Sequence, residues 1–355
     1  MPFSKLKVID LSTVLAGPSV GTFFSELGAD VVKIEHPRHP DVTRSWKLPS
    51  EKSDDDQSAY FSSVNYKKKY LQLDLKNEKD YSTFLEMVSG ADLLLSNFKK
   101  GDDVKLNISD SILRALNPGL IHGKITGFGT ESDRVAYDLI LQAESGFMSM
   151  NGTAESGPVK MPVALIDVLA AHHLKEGLLI ALLKRTEDQK GRTVSVSLYD
   201  AAICSLANQA SNYLMENKVA ERIGSLHPNI APYGELFQTK DNRTVTFAIG
   251  SDVHFAKLCT FLELPELVKD ENYATNPARV IHRTMLASLL SNAIQSFDCE
   301  TIVKAMHHEH VPVGEIKSLD KVLNSQEAQG LIREEIIEKK FTRRITSIGF
   351  KIEEN

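Results

Sequence analysis

Residues 6–35 read Leu6-Lys-Val-Ile-Asp-Leu-Ser-Thr-Val-Leu-Ala-Gly-Pro-Ser-Val-Gly-Thr-Phe-Phe-Ser-Glu-Leu-Gly-Ala-Asp-Val-Val-Lys-Ile-Glu35. Leu6 to Leu11 is apolar at Val8, Ile9 and Leu11 and predicts a strand. Gly17-Pro18 breaks it, and Ser19 to Leu27 carries a helical pattern. Gly28 ends that helix, as glycine commonly does just past a helix C-terminus. Asp30 to Glu35 predicts a second strand. Strand, helix and strand within about 30 residues form the repeating unit of a parallel sheet.

The alternation continues outward from this unit. Strands are predicted at Tyr70–Leu75, Asp92–Ser96 and Gly119–Thr126, with helices at Lys79–Ser89 and Ser109–Leu116 between them. The acidic stretch 47–58 reads as a surface loop. A helix is expected from Asp167 to Lys184, a strand from Arg192 to Leu198 and a helix from Tyr199 to Tyr213. Polar residues with Pro228 and Pro232 mark a linker. Tyr233–Thr239 and Arg243–Ile249 flank Lys240-Asp-Asn242 as a hairpin. Helices follow near Val253–Leu262, Arg279–Phe297 and Glu300–His307, then a helix at Leu319–Leu323 and a strand-like end at Thr342–Phe350. The expected fold is α/β: a Rossmann-like parallel-sheet domain over 1–215, a linker over 216–232, a smaller α+β domain over 233–312, and a segment over 313–355 returning to the first domain.

Composition sets limits on function. A chain of 355 residues has room for two domains and a substantial core. A net charge of −6 argues against nucleic acid as the main partner. Cys204, Cys259 and Cys299 are scattered and form no CxxC pair, which excludes a disulfide framework and points to a reducing compartment. The first residues lack the apolar core of a signal peptide, and the apolar runs are too short to span a membrane. A cytoplasmic location is expected.

Most motifs that could carry chemistry are absent or weak. The turn Asp10–Ser19 has neither GxGxxG nor GK[ST], which weighs against a dinucleotide or nucleoside triphosphate site. A helix N-terminus behind Gly17-Pro18 could still receive an anion. Basic residues gather after the strands: His36, Arg38, Lys67 to Lys69, Lys76, Lys99, Lys100 and Lys105. Ligands of parallel sheets bind outside the carboxyl ends of the strands, so several of these could meet a phosphorylated ligand. His307, His308 and His310 lack the companions of a metal site, and no metal is expected.

One carboxylate stands out. Asp167 is the only charged residue in Met161–Ala171, and an ionised group among apolar residues is costly unless something engages it. Helix cap and nucleophile both remain open for it, and the local pattern favours the cap. His172 and His173, five and six residues on, do not sit squarely on its helical face.

Six motifs follow one another along the chain: Val8–Pro18, Leu27–Pro37, Leu73-Asp-Leu-Lys76, Ala91–Phe98, Tyr137–Ala143 and His227–Tyr233. In this order they resemble class III CoA-transferases of the CaiB/BaiF family. The resemblance implies that Asp167 is the catalytic nucleophile. It attacks an acyl-CoA to give an aspartyl anhydride and then carries CoA as an aspartyl thioester to a free carboxylic acid. It also implies that CoA meets Leu15, Ala16, His36, Leu73, Asp74, Leu75, Lys76, Asn97, Phe98, Lys99, Lys105, Val135, Ala136, Tyr137 and Asp138. CoA and acyl-CoA are then substrates, with no permanently bound cofactor. An interlocked homodimer is implied as well.

The chain departs from the family pattern at several points. His36 stands where some members have Arg, and Leu15 where some have a polar residue. The glycine-rich loop of the formyl-CoA branch is missing. The family usually continues past the position of Phe350 with another helical segment. Two other functions compete. Racemases acting on α-methylacyl-CoA share the fold but carry His where this chain has Tyr137, which favours transfer over proton exchange. The other is a non-catalytic CoA-binding paralogue. A nicotinamide oxidoreductase is disfavoured by the missing glycine fingerprint.

Overall fold

The computed structural model describes residues 2–337 and 340–353. The chain forms two compact units. The first comprises residues 1–149, 160–220 and 330–355, and the second residues 150–159 and 221–329.

The first unit is built on six parallel strands: β1 (Lys7–Asp10), β2 (Asp30–Glu35), β3 (Lys69–Gln72), β4 (Leu93–Ser96), β5 (Ile121–Thr126) and β6 (Thr193–Ser197). Their order across the sheet is β3-β2-β1-β4-β5-β6. The order reverses between β1 and β4, the switch point at which open α/β sheets bind ligands. The apolar runs of the strands are explained by their two covered faces. Val8, Val31, Leu93 and Leu95 join a core with Val20, Phe24, Ala170, Leu174 and Leu178. The alternate residues Ile9, Ile34 and Leu94 join a second core with Phe84, Val88 and Leu113.

The helices of this unit include α1 (Ala16–Glu26), α2 (Glu78–Ser89), α3 (Asp110–Leu116), α4 (Asp138–Glu144), α5 (Leu165–Asp188) and α6 (Leu198–Cys204). Helix α1 starts three residues earlier than its pattern predicts. Gly17 and Pro18 lie in its first turn, where proline's missing N–H is one that a helix leaves unbonded anyway. Gly17 is packed so tightly that a Cβ there would lie 2.3 Å from the Ser12 Cβ. Gly28 follows the helix at φ 100°, as the sequence predicts.

Three other expectations are corrected. The stretch 199–213 is two helices, α6 and Ala207–Glu216, separated where Ala207 takes φ 48°. The stretch 279–297 divides at His282 into Asn276–Ile281 and Arg283–Ile294. The strand-like end is Lys340–Ile345, paired antiparallel with Ile332–Ile337, a strand the sequence reading missed. This pair is tied into the first unit where Glu335 accepts the Lys67 backbone N–H at 3.0 Å and Arg344 meets the buried Glu26 at 2.8 Å.

The second unit carries an antiparallel sheet of Tyr233–Gln238, Thr244–Ala248 and Val313–Glu315. The first two form the expected hairpin. Phe237, Val245 and Phe247 pack with Phe255, Leu258, Leu290 and Ile302 from the helices of this unit into a separate core.

Candidate active site

A cavity of about 250 Å³ opens at the switch point of the parallel sheet. The loop after β1 supplies Thr13, Val14, Leu15 and Ala16, and the loop after β4 supplies Asn97, Phe98, Lys99 and Lys100. Val135, Ala136, Tyr137 and Asp167 close it. Asn97 joins the first two loops: its Oδ1 accepts from Thr13 N at 3.0 Å, and its Nδ2 donates to Thr13 O at 2.9 Å.

Beneath the β1 loop lies a buried ionic network. Lys68 meets Asp10 at 2.8 Å and also donates to Pro18 O, Val64 O and Asn65 Oδ1. Lys33 meets Asp41 at 3.0 Å and donates to Ser12 O at 2.6 Å. Burial acts to raise the pKa of Asp10, but Lys68 and Lys33 outweigh it and hold the carboxyl below its ordinary value. Burial lowers Lys68 to about 8, still above neutral pH, so the pair stays charged. The network has a visible product. Val14 adopts φ 72°, a conformation costly for a β-branched residue, and its N–H points at the Asp41 carboxylate at 3.2 Å. The turn presenting Leu15 and Ala16 is therefore held against its own backbone preference.

Asp167 is the third residue of α5. It is not the helix cap: the capping position belongs to Ala164, which offers no side-chain acceptor. That role is filled from α4, where Asp138 Oδ1 accepts the Ile166 N–H at 2.7 Å. Gln142 donates to the other Asp138 oxygen at 2.6 Å and accepts from Met161 N at 2.8 Å, fixing the approach to α5. Asp167 itself is only 8% exposed, and among the described residues no hydrogen bond or ion pair engages its carboxylate. Burial first, and the charge of Asp138 second, push its pKa up to about 7. The result is a largely buried, uncompensated carboxyl facing a cavity.

The segment carrying Val135–Tyr137 reaches this position because β5 exits through Gly127. A Cβ at Gly127 would lie 2.4 Å from the Ala136 Cβ, so any larger residue would push the segment away. Tyr137 immediately precedes α4 and is half exposed at the cavity mouth.

A neighbouring cavity of about 420 Å³ holds His36, Leu73, Asp74, Leu75 and Lys76, with Arg38, His39 and Leu106. Thr13 and Phe98 border both cavities. His36 Nε2 lies 3.5 Å from Asp74 Oδ2. The backbone N–H of Lys76 is the main reason the Asp74 carboxyl is held below its ordinary range.

The structure thus brings fourteen of the sixteen sequence-predicted residues to these two adjoining cavities. The other two lie elsewhere. Asp138 turns away from the cavity to the start of α5, and Lys105 pairs with Asp102 at the surface at 3.0 Å. Two aromatic residues near the site were not anticipated. Tyr60, on the short helix Ala59–Ser63, lies within the field of Asp167, and Trp46 packs edge-on against it at 5.1 Å. Burial and the charges of Asp167, Asp138 and Asp41 push the Tyr60 phenol up to about 12. Nothing in the polar loop before Tyr60 signalled it.

A sequence profile of CoA-transferase family III matches residues 3–349. The succinate–glutarate CoA-transferase of Agrobacterium fabrum is 34% identical over 334 residues, covering 92% of this chain and 83% of the relative. The acetyl-CoA:oxalate CoA-transferase of Acetobacter aceti is 34% identical over 327 residues, covering 91% and 82%. The crystal structure of a CaiB/BaiF family protein from Brucella suis superposes with a TM-score of 0.86 at 32% identity, covering 99% of this chain and 93% of that one. The chain belongs to CoA-transferase family III and is a CoA-transferase.

Proposed function

We propose that this CoA-transferase works through covalent catalysis at Asp167. The observation that carries the reading is the buried, unpaired carboxylate at the cavity wall. An Asp167 oxygen attacks the thioester carbonyl of the donor, and the C–S bond breaks with CoA leaving as the thiolate. The thiolate then attacks the aspartyl carbonyl of the mixed anhydride, which releases the donor acid and leaves CoA on Asp167. An acceptor carboxylate attacks this thioester and frees the thiolate again. Thiolate attack on the acceptor carbonyl then forms the new acyl-CoA and restores Asp167. Each step exchanges one acyl bond for another and needs no net proton.

Burial suits this sequence. A carboxylate is a weak nucleophile in water, and desolvation and fixed position raise its reactivity. An acyl-CoA filling the cavity of about 250 Å³ would also displace water that could hydrolyse an anhydride. CoA is proposed to lie across the carboxyl ends of the strands, with His36, Lys76 and Lys99 near its phosphates. Leu15, Ala16, Asn97, Phe98, Val135, Ala136 and Tyr137 would then surround the thioester arm. Asp138 is proposed to position Asp167 rather than to touch CoA.

Relatives named as succinyl-CoA:glutarate and acetyl-CoA:oxalate CoA-transferases support a short dicarboxylic acid as acceptor and succinyl-CoA or acetyl-CoA as donor. Exposed apolar side chains on two helices of the first unit support a homodimer: Ile180 and Leu183 on α5, and Tyr213, Leu214 and Met215 on the helix Ala207–Glu216. Three free thiols, two of them buried, support a reducing, cytoplasmic setting.

Incubation with succinyl-CoA and hydroxylamine tests the mechanism. Asp167 should be recovered as a hydroxamate, and an Asp167→Asn protein should show none. Failure to trap Asp167 with succinyl-CoA or acetyl-CoA, while CoA exchange proceeds, would refute the covalent route. Exchange of the α-proton of a 2-methylacyl-CoA with deuterated solvent would indicate a racemase instead.

A further inference from the structure

Ser96, His122 and Asp110 come together outside the Asp167 cavity. Ser96 ends β4, His122 lies on β5 and Asp110 opens α3. Leu94 pairs with His122 and Ser96 with Lys124, so strand alternation puts Ser96 and His122 on one face of the sheet. Ser96 Oγ lies 2.8 Å from His122 Nε2, and His122 Nδ1 lies 2.7 Å from Asp110 Oδ1. The other Asp110 oxygen is held by Thr193 at 2.8 Å, Lys124 at 3.0 Å and Arg114 at 3.3 Å. With Oδ2 occupied, Oδ1 fixes the proton of His122 on Nδ1 and leaves Nε2 as an acceptor for the serine hydroxyl. Burial, only partly offset by Asp110, keeps the His122 pKa below its ordinary value, so the ring is a neutral base.

The arrangement borders open space. Ser96, His122 and Lys124 line a cavity of about 320 Å³, which shares Phe98, Lys99 and Lys100 with the Asp167 cavity. Serine, imidazole and carboxylate in this relation are recognised by geometry, whatever their order in the chain. Ser96 is 4% exposed and His122 3%, so only a small reagent can reach them.

We propose that Ser96, His122 and Asp110 form a second acyl-accepting centre that hydrolyses small activated esters and short-chain acyl thioesters. Ser96 Oγ attacks the acyl carbonyl and passes its proton to His122 Nε2. The bond to the leaving alkoxide or thiolate breaks, and the leaving group takes that proton. Water then attacks the acyl-serine, gives a proton to His122, and releases the acid as Ser96 regains its hydrogen. The net reaction is ester or thioester plus water to acid plus alcohol or thiol. It does not depend on any role for Asp167.

The test uses the full chain, as wild type and as Asp167→Asn, so that Asp167 chemistry cannot imitate the result. Diisopropyl fluorophosphate should add one phosphoryl group, mapped by peptide mass spectrometry to Ser96 in both proteins. Hydrolysis of p-nitrophenyl acetate by the Asp167→Asn protein should fall by about 100-fold when Ser96→Ala or His122→Gln is added. Labelling is read on chains with an intact triad, so it stands even if those further variants misfold. Absence of label at Ser96 would overturn the proposal, as would ester hydrolysis that Ser96→Ala leaves unchanged.

Discussion

Asp138 caps the helix that bears Asp167 from outside that helix, accepting the Ile166 N–H at 2.7 Å. One carboxylate thereby positions the other and also raises its pKa by charge. The two effects can be separated. Asn at position 138 keeps an acceptor for Ile166 and removes the charge, giving up only the bond from Gln142 to the second oxygen.

Asp138→Asn should therefore lower the pKa of Asp167 while leaving α5 in place. The value of about 7 belongs to the carboxyl with the Asp138 charge present. In wild type, acid exchange should fall as pH drops through about 7, because the protonated carboxyl is not a nucleophile. In Asp138→Asn this acid limb should move to lower pH. Asp138→Ala removes the cap as well, at about 1 kcal/mol of helix stability, and should reduce kcat at every pH. Unmoved acid limbs in pH profiles of kcat/KM for both variants would count against this coupling.

A carboxyl with a raised pKa also affects stability. The unfolded chain releases the Asp167 proton near pH 3.9 and the folded chain at about 7. Its contribution to folding is complete below about pH 3.9 and is lost as pH rises to about 7, where a buried charge must be tolerated. Asp167→Asn escapes that penalty, which at full shift is on the order of 4 kcal/mol. The variant should melt at least about 3 °C above wild type at pH 8 and level with it at pH 4. A melting difference independent of pH would contradict the buried, ionisable carboxyl.

The Lys68–Asp10 pair is wholly buried, so breaking one side leaves a charge without a partner. Lys68→Met should cost about 3–5 kcal/mol in urea unfolding. Adding Asp10→Asn should recover part of that loss, because the orphaned charge disappears while Ser12 keeps its acceptor. If the double variant is no more stable than Lys68→Met, packing rather than charge explains the loss.

The parallel sheet was legible because its strands are short apolar runs separated by helical patterns, and Val8/Ile9 and Leu93/Leu94 already show the two buried faces. The start of α1 was misread because Gly-Pro usually breaks structure, whereas here both residues fit a helix's first turn. Asp167 stood out as a lone charge, yet its local sequence favoured a cap. The residue that fills the cap role, Asp138, lies 28 positions before the Ile166 N–H it accepts, and nothing near Asp167 announces it. Tyr60, His122 and Ser96 were silent for the same reason. Their significance rests on partners that only the folded sheet brings near.

The two cavities at the switch point depend on Asn97, whose amide bonds both the N–H and the carbonyl of Thr13. Asn97→Asp tests that link with little change in volume. The carboxylate can still accept from Thr13 N, but it cannot donate to Thr13 O and instead faces that oxygen with a charge. Loss of one hydrogen bond is worth about 1 kcal/mol, and the added repulsion should loosen the β1 loop against the β4 loop. Phe98 and Thr13 border both cavities, so this loosening bears directly on a ligand spanning them. CoA affinity by calorimetry should drop by about tenfold, since each 1.4 kcal/mol is a factor of ten, and KM for acyl-CoA should rise in parallel. The core strands do not depend on the link, so the melting temperature should move by only a few degrees. Unchanged CoA affinity in a folded Asn97→Asp protein would place CoA away from the switch point.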